Sequence, residues 1–440
     1  MRDLTSLCGL NEKYSIFNCI ADDADAEGSK FRFSASDGLT SKDMVTRCGS
    51  MILDGYHPVF DATSIERMRA HGGKLIGKTN LDEFGSGSFC TNSGFGIPKN
   101  PFDLERSCGG ASGGSACAAA VIDDHVSLGV STGGSVCCPA SFCGVYGLTP
   151  TYGRVSRYGV IDCGNSFDKV GILSADPRKL TEFLPVISGK DARDPTSCGQ
   201  PPLEVRGKKI KSVAVPKDLL SYASKDVLAG FESSLDILKS MGIDVKMIDM
   251  PSLKYAVPAY IAIETAELST NLASYVGMRY GQQEGDLSMK FDDYFTWFRT
   301  KYFQDETKRR IIIGTNVRMA GLRERYYLKS VKVRQQLISV YKKVFADHDA
   351  VVTPTMPYVS PRFDEIKKMT PLETYGAERF TAPPNLTGMP QLSVPCGYDK
   401  DGMPVGMQIV TDHWMEDPLL TFANDWGSAF DVRKPEVLPC

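Results

Sequence analysis

The residues whose types and spacing permit chemistry lie in three short segments. Lys78 stands in GKTN, Ser112 in GGASGGSA at 109–116, and Ser135 in STGGSVCCPA at 131–140. A serine hydroxyl is a weak nucleophile that needs a base nearby. None of the five histidines lies near a nucleophile elbow of the form G-x-S-x-G. A buried Lys78 is the alternative base, because desolvation lowers the pKa of a lysine and supplies the neutral amine.

The two glycines before Ser135 predict a sharp turn that leaves its hydroxyl exposed. Such a turn lets the backbone N–H groups of Thr132, Gly133, Gly134 and Ser135 point inward together. Donors in this arrangement form an oxyanion hole, which stabilises the negative charge that develops during acyl transfer. The segment therefore indicates acyl-transfer chemistry at Ser135.

Taken singly, each of the three segments has a structural interpretation. A serine in a glycine-rich turn is typical of turn chemistry. A lysine at the end of a strand is usually solvated, and a stretch such as GGASGGSA is typical of a loop or linker. The combination of the three is much more specific than any one of them.

The elements around these segments mix helices with strands. The segment ATSIERMRAHGG after Asp61 predicts an amphipathic helix that ends at Gly72-Gly73, and KLIGK predicts a short buried strand after it. Residues 255–347 have a strongly helical pattern, whereas DAVVTPTMP, PQLSVPCGY and VGMQIV predict three later strands. Strands and helices mixed over the whole length predict an α/β fold.

The chain shows no internal repeat and no composition shift sharp enough to divide it. We predict an N-terminal lead-in at 1–44 that packs on the core and a single domain at 45–430. The helical stretch near 255–347 is then an insertion in that domain, and 431–440 is a C-terminal tail.

Composition excludes several classes of protein. A net charge of −3 gives none of the basic footprint that direct nucleic-acid binders usually show, so we expect RNA to be contacted by a partner. No apolar run is long enough for a membrane span, and the first residues do not resemble a signal peptide. Thirteen scattered cysteines without a paired zinc-ligand spacing indicate reduced thiols, no metal site and a cytoplasmic protein.

A longer series of motifs resembles the amidase signature family. It runs from GKTNLDEFGSGSF through NPFDLERSCGGASGGSA and STGGSVCCPASFCGVYGLTPTYGRVSRYG to NSFDKVG. The stretches YYLKSVKVR at 326–334, PPNLTGMPQLSVPCG at 383–397 and VGMQIV at 405–410 follow in the family's order. The chain is similar in particular to the A subunits of aspartyl/glutamyl-tRNA amidotransferases, over roughly residues 45–430.

This resemblance implies a large mixed β-sheet covered by helices on both sides and a Ser-cis-Ser-Lys triad, with Lys78 as base and Ser135 as nucleophile. Glutamine would acylate Ser135 and release ammonia, and water would then free glutamate. The ammonia would pass to a B subunit that activates Asp-tRNA(Asn) and/or Glu-tRNA(Gln) with ATP and magnesium, and a small C subunit would hold the heterotrimer together. The chain itself would bind no cofactor and would meet tRNA only through the B subunit.

One departure from the family concerns the bridging serine, which lies 24 residues before the nucleophile and is Ala111 here. A methyl group cannot relay a proton. Three outcomes are open: Ser112 takes over the relay, a water links Lys78 to Ser135, or amidase activity is weak or absent. The retained Lys78, Ser135 and glycine turn favour the first two, and on that basis Ala111→Ser is predicted to raise glutaminase activity.

Other departures affect the expected contacts with substrate. Bacterial relatives often carry Asp where Ser131 stands and Arg-Gln where Cys137-Cys138 stand. The α-amino and α-carboxylate groups of glutamine need an acidic and a basic partner. We consider Ser131 for the site, and the charged candidates by position are Arg318, Arg323, Glu416 and Asp417.

Rival interpretations remain. GGKLIGKT at 72–79 satisfies the phosphate-loop pattern G-x-x-x-x-G-K-[ST], which would make the chain a nucleotide hydrolase. The predicted helix before Gly72 and the apolar Leu75 and Ile76 argue against it, because that loop follows a strand and is open. A degenerate amidase kept as a scaffold is the second alternative, and a stand-alone amidase acting on another small amide is the third.

Overall fold

The computed structural model describes residues 4–24, 28–197 and 199–436, with eleven β-strands and fifteen α-helices. The strands are β1 (Phe17–Ile20), β2 (Phe31–Ser36), β3 (Gly73–Thr79), β4 (Val126–Ser131), β5 (Tyr146–Thr149), β6 (Lys169–Ser174), β7 (Ser212–Pro216), β8 (Asp244–Ile248), β9 (Ala350–Pro354), β10 (Gln391–Tyr398) and β11 (Pro404–Val410). The helices are α1 (Leu4–Tyr14), α2 (Thr63–Ala70), α3 (Gly113–Val121), α4 (Cys137–Phe142), α5 (Pro177–Ile187), α6 (Lys217–Leu220), α7 (Lys225–Ser240), α8 (Ala256–Asn271), α9 (Phe291–Tyr302), α10 (Asp305–Arg318), α11 (Lys329–Val344), α12 (Phe363–Ile366), α13 (Pro371–Gly376), α14 (Ala382–Thr387) and α15 (Glu416–Ala429).

All eleven strands form one sheet in the order β1-β3-β2-β4-β6-β5-β10-β11-β9-β7-β8. The neighbours β3-β2, β2-β4, β9-β7 and β7-β8 are parallel, and the remaining pairs are antiparallel. The central strands are buried along almost their whole length, as expected for a sheet covered on both faces. The predicted α/β fold with a large mixed sheet is confirmed.

Different helices cover the two faces of the sheet, as strand β2 and its neighbours show. Side chains along a strand alternate between the faces. Phe31 of β2 packs on Phe183 of α5, with ring centroids 4.5 Å apart. On the other face, a Cβ on Gly129 of β4 would lie 3.1 Å from the hydroxyl of Ser112, directly before α3. We call these the α5 face and the α3 face.

The N-terminal segment is more closely integrated than a lead-in packed on the core. Within 1–44 it supplies β1, which pairs with β3, and β2, which lies between β3 and β4. The sheet therefore contains part of the segment that the sequence set apart. Residues 437–440 of the expected tail lie outside the described residues.

The stretch 255–347 contains four long helices, α8, α9, α10 and α11. Helices α8 and α10 pack with their backbones in close approach, since a Cβ on Gly314 would lie 1.8 Å from the carbonyl oxygen of Thr265. Glycine is required there by space. No helix among the described residues is long and apolar enough to cross a membrane.

The phosphate-loop pattern at 72–79 is a strand and not a loop. Gly73–Thr79 forms β3, with every residue from Leu75 to Thr79 buried, and helix α2 precedes it. A phosphate loop needs open backbone amides that point at a ligand. In β3 the backbone is paired with β1 on one side and β2 on the other, so the nucleotide-hydrolase interpretation is wrong.

Candidate active site

Ser135 lies in the tight connection between β4, which ends at Ser131, and α4, which begins at Cys137. Gly134 has φ of 146°, a conformation that favours glycine. Neighbouring side chains press on this turn: a Cβ on Gly133 would lie 2.4 Å from the Tyr260 hydroxyl, and one on Gly134 would lie 2.3 Å from the Thr381 hydroxyl. Both glycines are therefore required by close packing, and they hold Ser135 in a rigid turn.

The turn presents free donors next to the serine hydroxyl. Within the described chain, the backbone N–H groups of Gly133, Gly134 and Ser135 donate to no protein acceptor. Buried backbone donors are almost always paired, so adjacent unpaired ones call for another acceptor. An oxyanion formed at Ser135 is such an acceptor. The unpaired amides meet one requirement of the predicted oxyanion hole.

Ala111 occupies the position directly before Ser112, next to the Ser135 turn. The Ala111 side chain is buried, and the backbone N–H of Ser112 donates to the Ser135 carbonyl at 3.1 Å. The Ser112 hydroxyl is committed to the backbone of Val130: it donates to the carbonyl at 2.9 Å and accepts from the N–H at 3.2 Å. This geometry does not place the Ser112 hydroxyl in a relay between Lys78 and Ser135.

Lys78 lies on the face of the sheet that points away from Ser135. Its neighbour Thr79 contacts Ser115 of α3 through their hydroxyls at 2.6 Å, so Lys78 points to the opposite, α5 face. There the Lys78 amine donates to the Thr46 hydroxyl at 3.0 Å and to the Asp37 carboxylate at 3.4 Å. The sequence prediction that brings Lys78 to Ser135 is therefore not supported by this arrangement.

The Lys78 environment is a closed ion pair. Lys78 and Asp37 are both buried, and the second carboxylate oxygen of Asp37 accepts from the Asn18 side chain and the Arg47 backbone. Burial lowers the pKa of Lys78, and the Asp37 carboxylate opposes that shift. Burial also raises the pKa of Asp37, and the Lys78 amine opposes that shift in turn. Each group thus stabilises the charged form of the other, and the lysine has a structural partner.

The strand residues that do face α3 near Ala111 carry no amine. Ser36 of β2 pairs in register with Thr79, and Gly129 of β4 lies on the same face. On this face β2 presents the hydroxyl of Ser36, β3 presents the hydroxyl of Thr79, and β4 presents only the hydrogen of Gly129. Neither Ser36 nor Thr79 can replace a lysine as the base for Ser135.

Two acidic candidates for substrate binding have structural partners instead. The Glu416 carboxylate accepts from the buried Arg154 guanidinium at 2.9 Å and from the Thr151 backbone at 2.9 Å. Asp417, at the start of α15, accepts hydrogen bonds from the backbone N–H groups of residues 206–208. Both carboxylates hold loops onto α15, and position along the chain was a poor guide to their role.

The basic candidates Arg318 and Arg323 line a separate surface pocket of about 470 Å³ that also includes Glu267 and Tyr327. Arg318 donates to the Thr270 hydroxyl at 2.7 Å. The structure brings neither arginine into hydrogen-bond contact with the Ser135 turn. The remaining candidate, Ser131, ends β4 with a buried hydroxyl that has no hydrogen-bond partner among the described residues.

A different set of buried polar residues, which we call the Arg310 cluster, lies beside the turn: Arg310, Glu264, Glu378 and Tyr260. The Arg310 guanidinium donates to Glu264 at 3.1 Å, and Tyr260 lies directly against Gly133. The Glu378 carboxylate accepts from the Ser88 hydroxyl at 2.7 Å, and its other oxygen lies 2.8 Å from the position of a Cβ on Gly133. The cluster therefore lies beside the Ser135 turn and meets it at Gly133.

Three polar atoms of this cluster are buried and have no hydrogen-bond partner in the described part of the chain: Arg310 Nη2, Glu264 Oε2 and Glu378 Oε2. A buried polar atom without a partner costs about 1–3 kcal/mol, so three together indicate a ligand that completes them. Burial raises the pKa of Glu378 to about 7, although Arg310 acts against the shift. Burial acts to lower the pKa of Arg310, but the carboxylates of Glu264 and Glu306 outweigh it and hold that pKa well above its usual value.

A further carboxyl fixes the oxyanion-hole segment itself. Asp168 accepts from the Thr132 hydroxyl at 2.7 Å and from the backbone N–H groups of Cys163 and Gly164. Burial raises the pKa of Asp168 to about 7. These contacts tie Thr132, the first residue of the turn, to the loop before β6.

The sequence carried a weak signal for the Arg310 cluster. Arg310 belongs to the run KRR in α10, where an arginine with its carboxylate one helical turn earlier is typical of a surface pair. Only the fold shows that this arginine is fully buried, because α8 packs across α10. Glu378 lies in a segment with no motif at all. Neither residue could be chosen over the other charged residues by spacing.

Comparison with known proteins agrees with the geometry. The profile of the family described as Amidase matches residues 36–420. The chain belongs to the amidase family. The match includes the Ser135 turn, Ala111 and the Arg310 cluster. Among the described residues no group of histidine, cysteine and acidic side chains could hold a metal ion.

Curated relatives within this amidase family are similar over most of their length. The A subunit of glutamyl-tRNA(Gln) amidotransferase from Archaeoglobus fulgidus is 41% identical over 398 residues, covering 90% of this chain and 85% of the relative. The protein of the same name from Halothermothrix orenii is 38% identical over 427 residues, covering 94% and 88%.

Solved structures give the same result. The crystal structure of the A subunit of glutamyl-tRNA(Gln) amidotransferase from Thermotoga maritima superimposes with a TM-score of 0.83 at 32% identity, covering 99% of this chain and 93% of that one. The structure of 6-aminohexanoate cyclic dimer hydrolase has a TM-score of 0.83 at 22% identity, covering 99% and 94%, which shows a shared fold alone.

Proposed function

We propose that this amidase-family chain is the A subunit of a glutamyl-tRNA(Gln) amidotransferase and that glutamine is its substrate. The observation that carries the proposal is the rigid Ser135 turn with free backbone amides, beside a buried arginine and a buried glutamate that each keep an atom without a partner among the described residues. Curated relatives with this name, one of them 41% identical, support the assignment.

The Arg310 cluster suits the zwitterionic end of glutamine. The free Nη2 of Arg310 donates to the α-carboxylate, and the free Oε2 of Glu378 accepts from the α-ammonium group. This places the side-chain amide towards Ser135. A neutral small amide leaves both charges unmatched, which costs more than a missing hydrogen bond between neutral groups. The site therefore favours an α-amino acid amide over an uncharged one.

In the reaction, Ser135 Oγ attacks the side-chain carbonyl carbon of glutamine. The oxyanion that forms accepts from the backbone N–H groups of the turn. The proton of the Ser135 hydroxyl passes to the amide nitrogen, and collapse of the oxyanion breaks the C–N bond, expels ammonia and leaves a glutamyl ester on Ser135. Water then hydrolyses the ester and releases glutamate. Ammonia passes to a partner subunit that uses ATP and magnesium to activate Glu-tRNA(Gln), and a third subunit completes the heterotrimer.

The chemistry proceeds without help from Lys78, which lies on the α5 face. General-base assistance contributes about two to four powers of ten to such rates. We therefore expect glutamine hydrolysis on Ser135 to be slow, with catalysis supplied by the oxyanion hole and by substrate positioning. The positions of Lys78 and Ala111 also favour a second function, in which the chain serves the assembly mainly as a structural subunit.

The test is glutamine hydrolysis by the purified chain with its partner subunits, wild type against Ser135→Ala. Loss of hydrolysis with intact assembly supports the glutaminase. Equal rates in the two proteins, with normal assembly, establish the structural function instead. The control Ser233→Ala removes an exposed hydroxyl on α7 and leaves both readouts unchanged.

A further inference from the structure

Helix α11 and the turn before it carry an unusual distribution of charge. Residues 325–346 contain six lysines and arginines and no aspartate or glutamate. The other long surface helices mix both signs: α7 has Asp226 and Asp236 beside its lysines, and α9 has Asp292 and Asp293. Interspersed charge is the usual state of a protein surface. The segment is also unusual in a chain whose net charge is −3.

Several of these cations lie on one exposed face, which we call the basic stripe: Arg325, Lys329, Lys332 and Lys343. Helix α11 buries Ser330, Leu337 and Tyr341 against the body of the protein. Positions 329, 332 and 343 are separated by nearly whole numbers of helical turns, so they lie on the opposite face, and all three are exposed. At 1.5 Å per residue, Lys329 and Lys343 lie about 21 Å apart along the axis.

The stripe is not neutralised by neighbouring carboxylates. Among the described residues, no aspartate or glutamate forms an ion pair with Arg325, Lys329, Lys332 or Lys343. The cations that do have partners belong to other faces: Lys342 pairs with Asp412, and Arg334 donates to the Ser166 carbonyl. The nearest acid in sequence, Glu324, lies 3.8 Å from Arg323.

Helix stability accounts for Lys343 but not for Lys329 and Lys332. The helix dipole favours cations in the last turn, which explains Lys342 and Lys343. Lys329 and Lys332 lie in the first turn of α11, where the dipole gives no such benefit. Like charges spaced one turn apart also repel one another slightly. A row of unpaired cations at such positions indicates a polyanionic partner.

We propose that the basic stripe binds the phosphate backbone of the tRNA, so that this chain contacts RNA directly. Arg325, Lys329 and Lys332 are three or four residues apart and exposed, which suits neighbouring phosphates, and Lys343 lies about 17 Å further along the helix axis. Such phosphate contacts contribute affinity without sequence specificity. Tyr326, 42% exposed beside Arg325, adds an aromatic surface at the end of the stripe. The choice of RNA over another polyanion rests on the proposed function, whereas the stripe itself does not.

The experiment measures binding of a tRNA to the full chain and to the assembled complex over a range of salt concentrations. The stripe variant is Lys329→Gln, Lys332→Gln and Lys343→Gln together. The control variant, Lys209→Gln, Lys239→Gln and Lys246→Gln, removes the same charge from exposed lysines elsewhere. We expect the stripe variant to bind more weakly and to lower the slope of log K against log salt by about two to three, and the control to match wild type.

Each outcome of the binding experiment decides the proposal without reference to glutamine hydrolysis. Equal weakening by both variants reduces the effect to net charge and overturns it. Unchanged tRNA binding with failed assembly of the stripe variant assigns the stripe to an acidic segment of another protein in the complex, which also overturns the proposal. Glutamine hydrolysis stays at the wild-type level in the stripe variant, so failure of the proposed function is read from Ser135→Ala and not from this assay.

Discussion

Two buried ionic clusters in this protein differ in how completely they are paired. On the α5 face, Lys78 and Asp37 leave no polar atom without a partner. Beside the Ser135 turn, Arg310, Glu264 and Glu378 each leave one atom without a partner among the residues that the structure describes. A closed pair has a structural role, because its charges already satisfy one another. An open cluster retains unsatisfied groups, and a ligand can complete them.

A shifted pKa has a different meaning in the two clusters. Burial lowers the pKa of Lys78, as a catalytic lysine would require. The same shift arises in an ion pair that lies away from the reacting serine. A shifted pKa therefore identifies a functional group only where that group also lies at the site. The Arg310 cluster lies beside the Ser135 turn, and Lys78 does not.

The largest expected effect comes from breaking the closed pair. Lys78→Met leaves Asp37 buried without a cation, which we expect to lower the free energy of unfolding by about 3–5 kcal/mol in denaturant titration. Lys74→Met on the same strand removes a surface pair with Asp23 and changes it by about 0–1 kcal/mol. Hydrolysis per folded molecule stays unchanged. Lost hydrolysis at full stability would instead make Lys78 a catalytic residue.

A smaller effect is expected from weakening the open cluster. Arg310→Lys keeps the charge but loses the planar fork that reaches the ligand. We expect KM for glutamine to rise about tenfold to a hundredfold, the value of a charge-assisted hydrogen bond, with kcat less affected. Arg154→Lys, which changes the buried pair with Glu416, is the control and leaves KM unaltered. Matching KM values in the two variants would remove Arg310 from the site.

Glu378 makes the cluster sensitive to pH. Its folded-state pKa is raised to about 7, so the carboxylate that pairs with an ammonium group forms as pH rises through 7. We expect kcat/KM for glutamine to increase about tenfold between pH 6 and pH 8, following that single ionisation. Glu378→Gln flattens this limb of the profile. A limb that persists in the variant would assign the titration to another carboxyl, such as Asp168.

The same raised pKa of Glu378 has a consequence for stability. The folded state holds the Glu378 proton to a higher pH than the unfolded chain does. The favourable contribution is therefore fully present below the ordinary pKa of a glutamate and is lost as pH rises through about 7. Bound glutamine offsets that loss by supplying a partner for the carboxylate. Thermal unfolding at pH 8, with and without glutamine, measures the difference.

The smallest expected effect is that of Ala111→Ser alone. The gain predicted from the sequence depended on Lys78 lying beside position 111, but its amine points to the α5 face. We expect hydrolysis within about twofold of wild type, since a hydroxyl without an amine cannot start the relay. The double variant Ser36→Lys/Ala111→Ser places both groups on the α3 face and is the informative comparison. A clear gain in the single variant would contradict the assigned position of Lys78.

The fold class and the nucleophile segment followed from local pattern. Glycines before Ser135 require a tight turn wherever the chain places it, and KLIGK forms the predicted strand because its apolar residues suit a buried strand. The face of the sheet to which a strand residue points does not follow from local pattern, because a shift of one residue reverses it. Lys78 and Thr79 are adjacent in sequence, and only the packing of α3 shows which of them faces the site.

The sequence by itself determined the family, the mixed α/β architecture, the Ser135 turn and the loss of the hydroxyl at position 111. These properties belong to residue types and short-range spacing. Only the tertiary structure decided that Lys78 is closed in an ion pair and that Arg310 and Glu378 lie in a buried cluster beside the Ser135 turn. Arg310 and Glu378 lie more than 170 residues beyond Ser135 in the chain, and burial and long-range contact made them a site.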